Sequence, residues 1–140
     1  MSQPKYPGLF DRIKAIIIDS IVLIIFMIII TDIFSSLDNV SDNARIIAFL
    51  FIFLLYDPIC TSFFGGTIGH NLIGIRIRQE NNPEKNILFS VALFRYLVKA
   101  LLGWISLFSV MNNEKRQAIH DFMAKSVVVY KEQIKEQCTP

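Results

Sequence analysis

Charge is scarce in this chain. Only 19% of its 140 residues are Asp, Glu, Lys or Arg, fewer than a soluble domain of this size carries. The formal net charge is only +2, so the chain lacks the basic footprint of a nucleic-acid binder. There are 2 cysteines, Cys60 in an apolar segment and Cys138 in a polar tail, which give neither a disulfide framework nor a metal spacing. The 2 histidines, His70 and His120, are too few for a zinc set, so no metal and no cofactor are expected. GGTIGHNLIG is glycine-rich but lacks the Gly-Lys-Ser/Thr ending of a phosphate cradle. No nucleophile stands beside a base, and His120-Asp121 lacks the further ligands of a phosphohydrolase. An enzyme is therefore not expected.

Apolar residues, by contrast, are abundant. They make up 53% of the chain, with 12 Phe, and they are gathered into long runs. That composition puts the chain in the membrane class and leaves room for one domain, residues 1–140. The first run, residues 13–34, is about 33 Å long as a helix, enough to cross a hydrocarbon core of about 30 Å. Its most apolar part, Ser20 to Ile30, is followed by Thr31-Asp32-Ile33-Phe34 and no small-residue cleavage site, which reads as an uncleaved membrane helix. The second run, residues 46–64, is free of charge until Asp57-Pro58 and ends at Gly65-Gly66.

GIRIRQ then alternates Ile75 and Ile77 with Arg76 and Arg78, a short strand pattern. A third apolar stretch, residues 87–111, carries Arg95 and Lys99. Its uncharged remainder, from Ala100 to Met111, is short for a span and contains Gly103, which favours a re-entrant or interfacial helix over a third crossing. The tail, 114–140, reads as a helix EKRQAIHDFMAK, a strand SVVVYK and a polar end. The expected fold is thus an all-α membrane protein. It has two transmembrane helices, a third re-entrant, interfacial or spanning helix, and a strand pair made by GIRIR and SVVVY.

Lys and Arg number three in residues 1–14 and three in 65–86, five in 114–140, and one in the loop 32–45, which holds three Asp. The positive-inside rule puts the N-terminus, the C-terminus and both strands in the cytoplasm and the acidic loop outside. A third full crossing would send the most basic segment to the wrong side.

Four ionisable groups lie in apolar stretches: Asp19, Asp57, Arg95 and Lys99. An unpaired charge near the bilayer centre costs at least roughly 2.5–3.5 kcal/mol, so each needs a partner. Arg95 and Lys99 share a helical face that must turn toward acidic groups. Arg12 and Asp19 lie on one stripe of the first helix with Ala15 and Ile16 between them. They are about 10 Å apart along its axis, too far for a direct bond. Asp19 and Asp57 therefore either pair with Arg95 and Lys99 to hold helices together or bind an ion or proton. His120-Asp121 is either a proton relay or a hydrogen-bonded junction. Arg76 and Arg78 sit where lipid phosphates lie and suit anchoring.

With these residues in view, the chain resembles the RDD family of bacterial membrane proteins. The family takes its name from one arginine and two aspartates. Arg12 and Asp19, in DRIKAIIID, fit the arginine at the start of the first helix and the aspartate within it. Ile119-His120-Asp121 resembles the family's Leu-His-Asp, which makes Asp121 the second aspartate, and Arg116-Gln117 supplies the usual preceding pair. Thr67-Ile68-Gly69 and Ile73-Gly74-Ile75-Arg76-Ile77 match its Thr-x-Gly-Lys and Leu-Gly-x-Arg-Val. The resemblance runs from about Gly8 to Val129. In two places it departs: His70-Asn71 replaces the usual Lys-Arg and lowers the local positive charge, and Lys125-Ser126 replaces Gly-Thr, implying a different turn.

The resemblance implies a bacterial inner-membrane protein related to transport. The family is proposed to move unidentified ligands, and some members are described as sodium/proton antiporters. Two or three short helices cannot enclose a pathway, so a homo-oligomer or another membrane protein is the expected partner, besides the bilayer. A non-transporting scaffold or accessory subunit is the other reading. The two-span arrangement requires that a membrane-impermeant thiol reagent reach Cys138 only from the cytoplasmic side; labelling from the opposite side would break it.

Overall fold

The computed structural model describes residues 5–37, 39–82, 84–112 and 114–137; Cys138 lies outside them. Three helices among these residues are long and apolar enough to cross a membrane: Leu9–Ser35, Asp42–Phe64 and Phe89–Asn112. The first, α1 (Leu9–Ser35), starts four residues ahead of the apolar run because Asp11 suits a first helical turn. In α2 (Asp42–Phe64), the Ser41 side chain accepts from the Ala44 amide at the N-terminus. Outside their inner ends the two helices meet little, with one edge-on contact between Phe26 and Tyr56.

After α2 the chain turns into a short helix, α3 (Ile68–Ile73), and strand β1 (Ile75–Gln79). The third long helix, α4 (Phe89–Phe108), continues as a tight turn to Asn112. It is interrupted at Gly103, whose φ of 50° and ψ of −131° are closed to residues with a β-carbon. The last elements are α5 (Ile119–Met123), β2 (Ser126–Tyr130) and α6 (Lys131–Gln137).

Strands β1 and β2 pair antiparallel, Ile75 opposite Tyr130 and Gln79 opposite Ser126, as their sequence patterns imply. Ile75, Ile77 and Val128 are buried with Ala15 of α1, Ala92 of α4 and Ile87. This core welds the sheet to the start of α1 and the start of α4. The Tyr130 hydroxyl adds a hydrogen bond to Asp11 at 2.6 Å. Helix α3 lies hard against α1. A β-carbon at Gly69 would fall 2.1 Å from the Ala15 carbonyl oxygen and 2.9 Å from the Asp19 carboxyl carbon, so only glycine permits this approach.

The expected helix over 114–125 shrinks to five residues. Arg116, at φ 47°, sits in the left-handed region, and its carbonyl is turned toward the Arg12 guanidinium, which donates to it at 2.8 Å. Arg116 and Gln117 consequently lie outside α5, and the Gln117 amide donates to the Ser126 carbonyl instead. At the far end Lys125 also has φ 47°, a left-handed backbone that glycine would favour. Lys125→Gly is expected to raise stability by about 1 kcal/mol, the usual left-handed penalty of a residue with a β-carbon. An increased unfolding temperature of the purified protein in detergent checks this.

Candidate functional site

The buried residues of α1 are Arg12, Ala15 and Asp19, the single stripe that their spacing puts on one face. The charges at the two ends of this stripe enter different assemblies.

Arg12 belongs to a chain of charges. Its guanidinium donates to Asp121 Oδ2, and Arg95 Nε donates to Asp121 Oδ1 at 2.7 Å. Arg95 Nη1 lies 3.7 Å from Asp57 Oδ1, and Lys99 Nζ donates to Asp57 Oδ2 at 2.9 Å. Thr61, one turn beyond Asp57, donates to it at 3.0 Å. The face shared by Arg95 and Lys99 thus turns to Asp57 and Asp121, tying together α1, α2, α4 and α5. The Asp121 and Arg95 side chains are almost wholly buried, whereas that of Lys99 is 24% exposed. Burial alone would raise the Asp121 pKa, but Arg12 and Arg95 outweigh it and hold the carboxyl well below its usual range.

Asp19 is held in a different way. Oδ1 accepts from the Tyr56 hydroxyl at 2.9 Å and from the Gly69 amide at 2.8 Å. Oδ2 accepts from the Thr67 hydroxyl at 2.5 Å. The sequence leaves Arg95 and Lys99 available to either intramembrane aspartate; the structure gives both to Asp57 and neither to Asp19. Its nearest titratable neighbour with a ring nitrogen is His70, whose Nδ1 is 3.8 Å from Oδ2 and 2.5 Å from the Thr67 oxygen. Thr67 has one proton, spent on Asp19, so His70 must donate from Nδ1 to Thr67. The His70 side chain occupies the place where the family usually carries lysine.

His120 forms a similar unit with Ser106, Nδ1 lying 2.6 Å from the hydroxyl oxygen. The Ser106 oxygen also accepts from the His120 amide at 3.2 Å, which fixes the junction between α4 and α5. His120 Nε2 is 3.5 Å from Asp121 Oδ1. Arg76 donates to the Phe64 carbonyl and Arg78 to the Asn86 side chain, closing the C-terminal end of α2. Among the described residues no cluster of three or more His, Cys, Asp or Glu could hold a metal ion.

Sequence reasoning passed over Tyr56 and Ser106, and took Thr67 and Gly69 only as part of a family motif without a role at Asp19. A tyrosine deep in an apolar run was the available signal for Tyr56, because a buried phenol needs a partner. The motif match at Thr67 and Gly69 did not point to Asp19, since their contact with it depends on α3 folding back on α1.

Replacing Asp121 leaves two buried guanidiniums without their shared carboxylate. Asp121→Asn is expected to cost about 3–5 kcal/mol, read as a large drop in unfolding temperature or loss of folded protein. The histidines set a pH dependence. Burial pushes His70 and His120 from the ordinary 6.5 down to about 3, with Arg95 and Lys99 acting in the same direction. Between those values the unfolded chain binds more protons than the folded one. Stability is therefore full above about pH 6.5 and declines as pH falls from there toward 3. Unfolding temperatures measured across that range check this, together with imidazole NMR signals that stay neutral at mildly acidic pH.

The chain is 25% identical over 134 residues to the uncharacterized membrane protein YteJ of Bacillus subtilis (strain 168), covering 89% of this chain and 81% of that one. No solved structure matches it. The sequence pattern of the RDD family matches residues 6–125, a stretch holding Arg12, Asp19 and Asp121, and the chain belongs to the RDD family.

Proposed function

We propose that this is a transport-related protein of the bacterial inner membrane that exchanges a small cation for protons at Asp19. The observation that carries the reading is the unequal treatment of three buried carboxylates. Asp57 and Asp121 are each engaged by two cationic side chains. Asp19 has no Lys or Arg ion pair among the described residues and is met by neutral donors alone. A carboxylate neutralised by guanidinium has nothing to gain from a second cation. One stabilised only by hydroxyls and an amide keeps its full charge available.

Two of the three donors can also reverse roles. The Tyr56 and Thr67 hydroxyls can rotate their protons away, so that their oxygens join the carboxylate as ligands of a hard monovalent cation. On protonation of Asp19, Thr67 can instead accept. The hydrogen-bonded series Asp19, Thr67, His70 then offers a proton path that leaves the charge chain undisturbed. His120-Asp121 serves this reading as the rigid junction against which the site is held.

The membrane arrangement goes with it. Paired strands lie on one side of a bilayer, so the chain between β1 and β2 must leave and return there. Arg95 and Ser106 touch neighbouring residues of α5, although a straight helix would part them by about 16 Å. Both facts favour an α4 that bends at Gly103 and returns to the side of the bilayer where the strands lie, as a re-entrant or interfacial helix does, with the termini and strands cytoplasmic. A pathway would be completed between copies in an oligomer.

The scaffold or accessory-subunit reading draws on the charge chain, which joins four helices. Purified protein in proteoliposomes, with a cation gradient imposed and internal pH followed, separates the two. Transport predicts cation-driven proton movement by the wild type, falling to the level of empty vesicles in Asp19→Asn while the protein stays folded. Wild-type vesicles that move no ion, or transport unaffected by Asp19→Asn, would overturn the exchange reading.

A further inference from the structure

The charge chain ends at a second feature, which the exchange at Asp19 does not use. The break at Gly103 opens a cavity of about 150 Å³ between α1 and α4, lined by Ile16, Lys99, Gly103, Trp104 and Leu107. That volume takes an apolar group about the size of benzene. Its one charged wall is Lys99, the member of the chain whose side chain is partly exposed. The surface beside it is bare hydrocarbon: Leu101 is 87% exposed, Ile105 70% and Phe108 66%. Trp104, also exposed, is the residue type that settles at the boundary between headgroups and acyl chains.

The charge chain is unbalanced toward this cavity. Among the described residues, Arg12, Arg95 and Lys99 are served by only Asp57 and Asp121. Arg95 and Lys99 compete for Asp57, and Lys99 holds it more closely. Arg95 Nη1 is buried with no hydrogen-bond partner, 3.7 Å from the Asp57 oxygen it does not reach. An anion at the mouth of the cavity resolves both defects. It would take the Lys99 ammonium, and Asp57, released, would close on Arg95.

We propose that this slot binds an anionic phospholipid, its phosphate on Lys99 and the upper part of one acyl chain against Ile16, Trp104 and Leu107. The lipid is thereby the missing negative charge of the chain Arg12–Asp121–Arg95–Asp57–Lys99. Hydrocarbon around the mouth selects a tailed anion over a free one. The proposal does not depend on transport at Asp19.

Trp104 is the chain's 1 tryptophan and reports the slot directly. The full-length protein is reconstituted with brominated phosphatidylglycerol or brominated phosphatidylcholine, and quenching of its fluorescence is compared. The anionic lipid is expected to be favoured by about tenfold, the worth of one charge-assisted hydrogen bond. Lys99→Gln removes the preference, Lys99→Arg keeps it, and Asp57→Asn increases it because Lys99 loses its internal competitor. Should Lys99→Gln fail to fold, Ile16→Phe, which fills the slot and spares the charges, must lower the preference instead. Equal quenching by the two lipids, or a preference that survives in Lys99→Gln, overturns the proposal. So does a preference cancelled by millimolar inorganic phosphate, which would mark the site as one for small anions. Loss of proton movement in Asp19→Asn leaves all these outcomes unchanged, so the two readings fail separately.

Discussion

One carboxylate organises this molecule. Asp121 receives Arg12 on one oxygen and Arg95 on the other, so a residue of the short helix α5 holds two of the three long apolar helices, α1 and α4. The arrangement answers the problem that guanidinium groups pose in an apolar setting. Each is neutralised by a partner whose own position is fixed by the Ser126 hydroxyl, which donates to the Asp121 carbonyl. Because the same carboxylate serves both arginines, neither can be moved without exposing the other. The position of α4 relative to α1, and hence the shape of every space between them, follows from this shared oxygen pair.

Against that rigid frame, the close approach of α3 to α1 sets the environment of Asp19. Gly69 has no side chain to hold the helices apart, so its amide reaches the carboxylate directly. Thr67, two residues earlier, accepts from the His70 amide at 3.4 Å while its hydroxyl proton goes to Asp19. One short helix therefore supplies two donors to a carboxylate on another helix without spending a charge. The replacement of the family's usual lysine by His70 is consistent with this economy. Burial beside Arg95 and Lys99 keeps the imidazole neutral, so it carries hydrogen bonds where an ammonium would have carried charge.

The parts of the structure legible in the sequence are those set by local pattern. Apolar runs gave the helices, alternation in GIRIR gave β1, and a seven-residue separation put Arg12 and Asp19 on one buried stripe. The need of Arg95 and Lys99 for acidic partners also followed from helix geometry. Which carboxylate each would meet did not. Pairing depends on how α4 crosses α2 and on α5 folding in beneath both, and neither is encoded in any window short enough to read by eye. The tail helix was overdrawn for a related reason. EKRQ has good helical character, but the Arg116 carbonyl is needed by Arg12, and that long-range demand outweighs local preference.

The bond between Arg12 and Asp121 spans 109 residues, almost the whole chain, and it has a consequence for biosynthesis. Arg12 enters the bilayer region while its carboxylate is still to be made. At about 5–20 residues per second, the interval before Asp121 leaves the ribosome is roughly 5–20 s. During it, two apolar helices are in place with Arg12 unneutralised and β1 without its partner strand. A nascent chain interrupted before residue 121 leaves Arg12 without its carboxylate for good, so the α1 end of the molecule is completed only when the last part of the chain is in place.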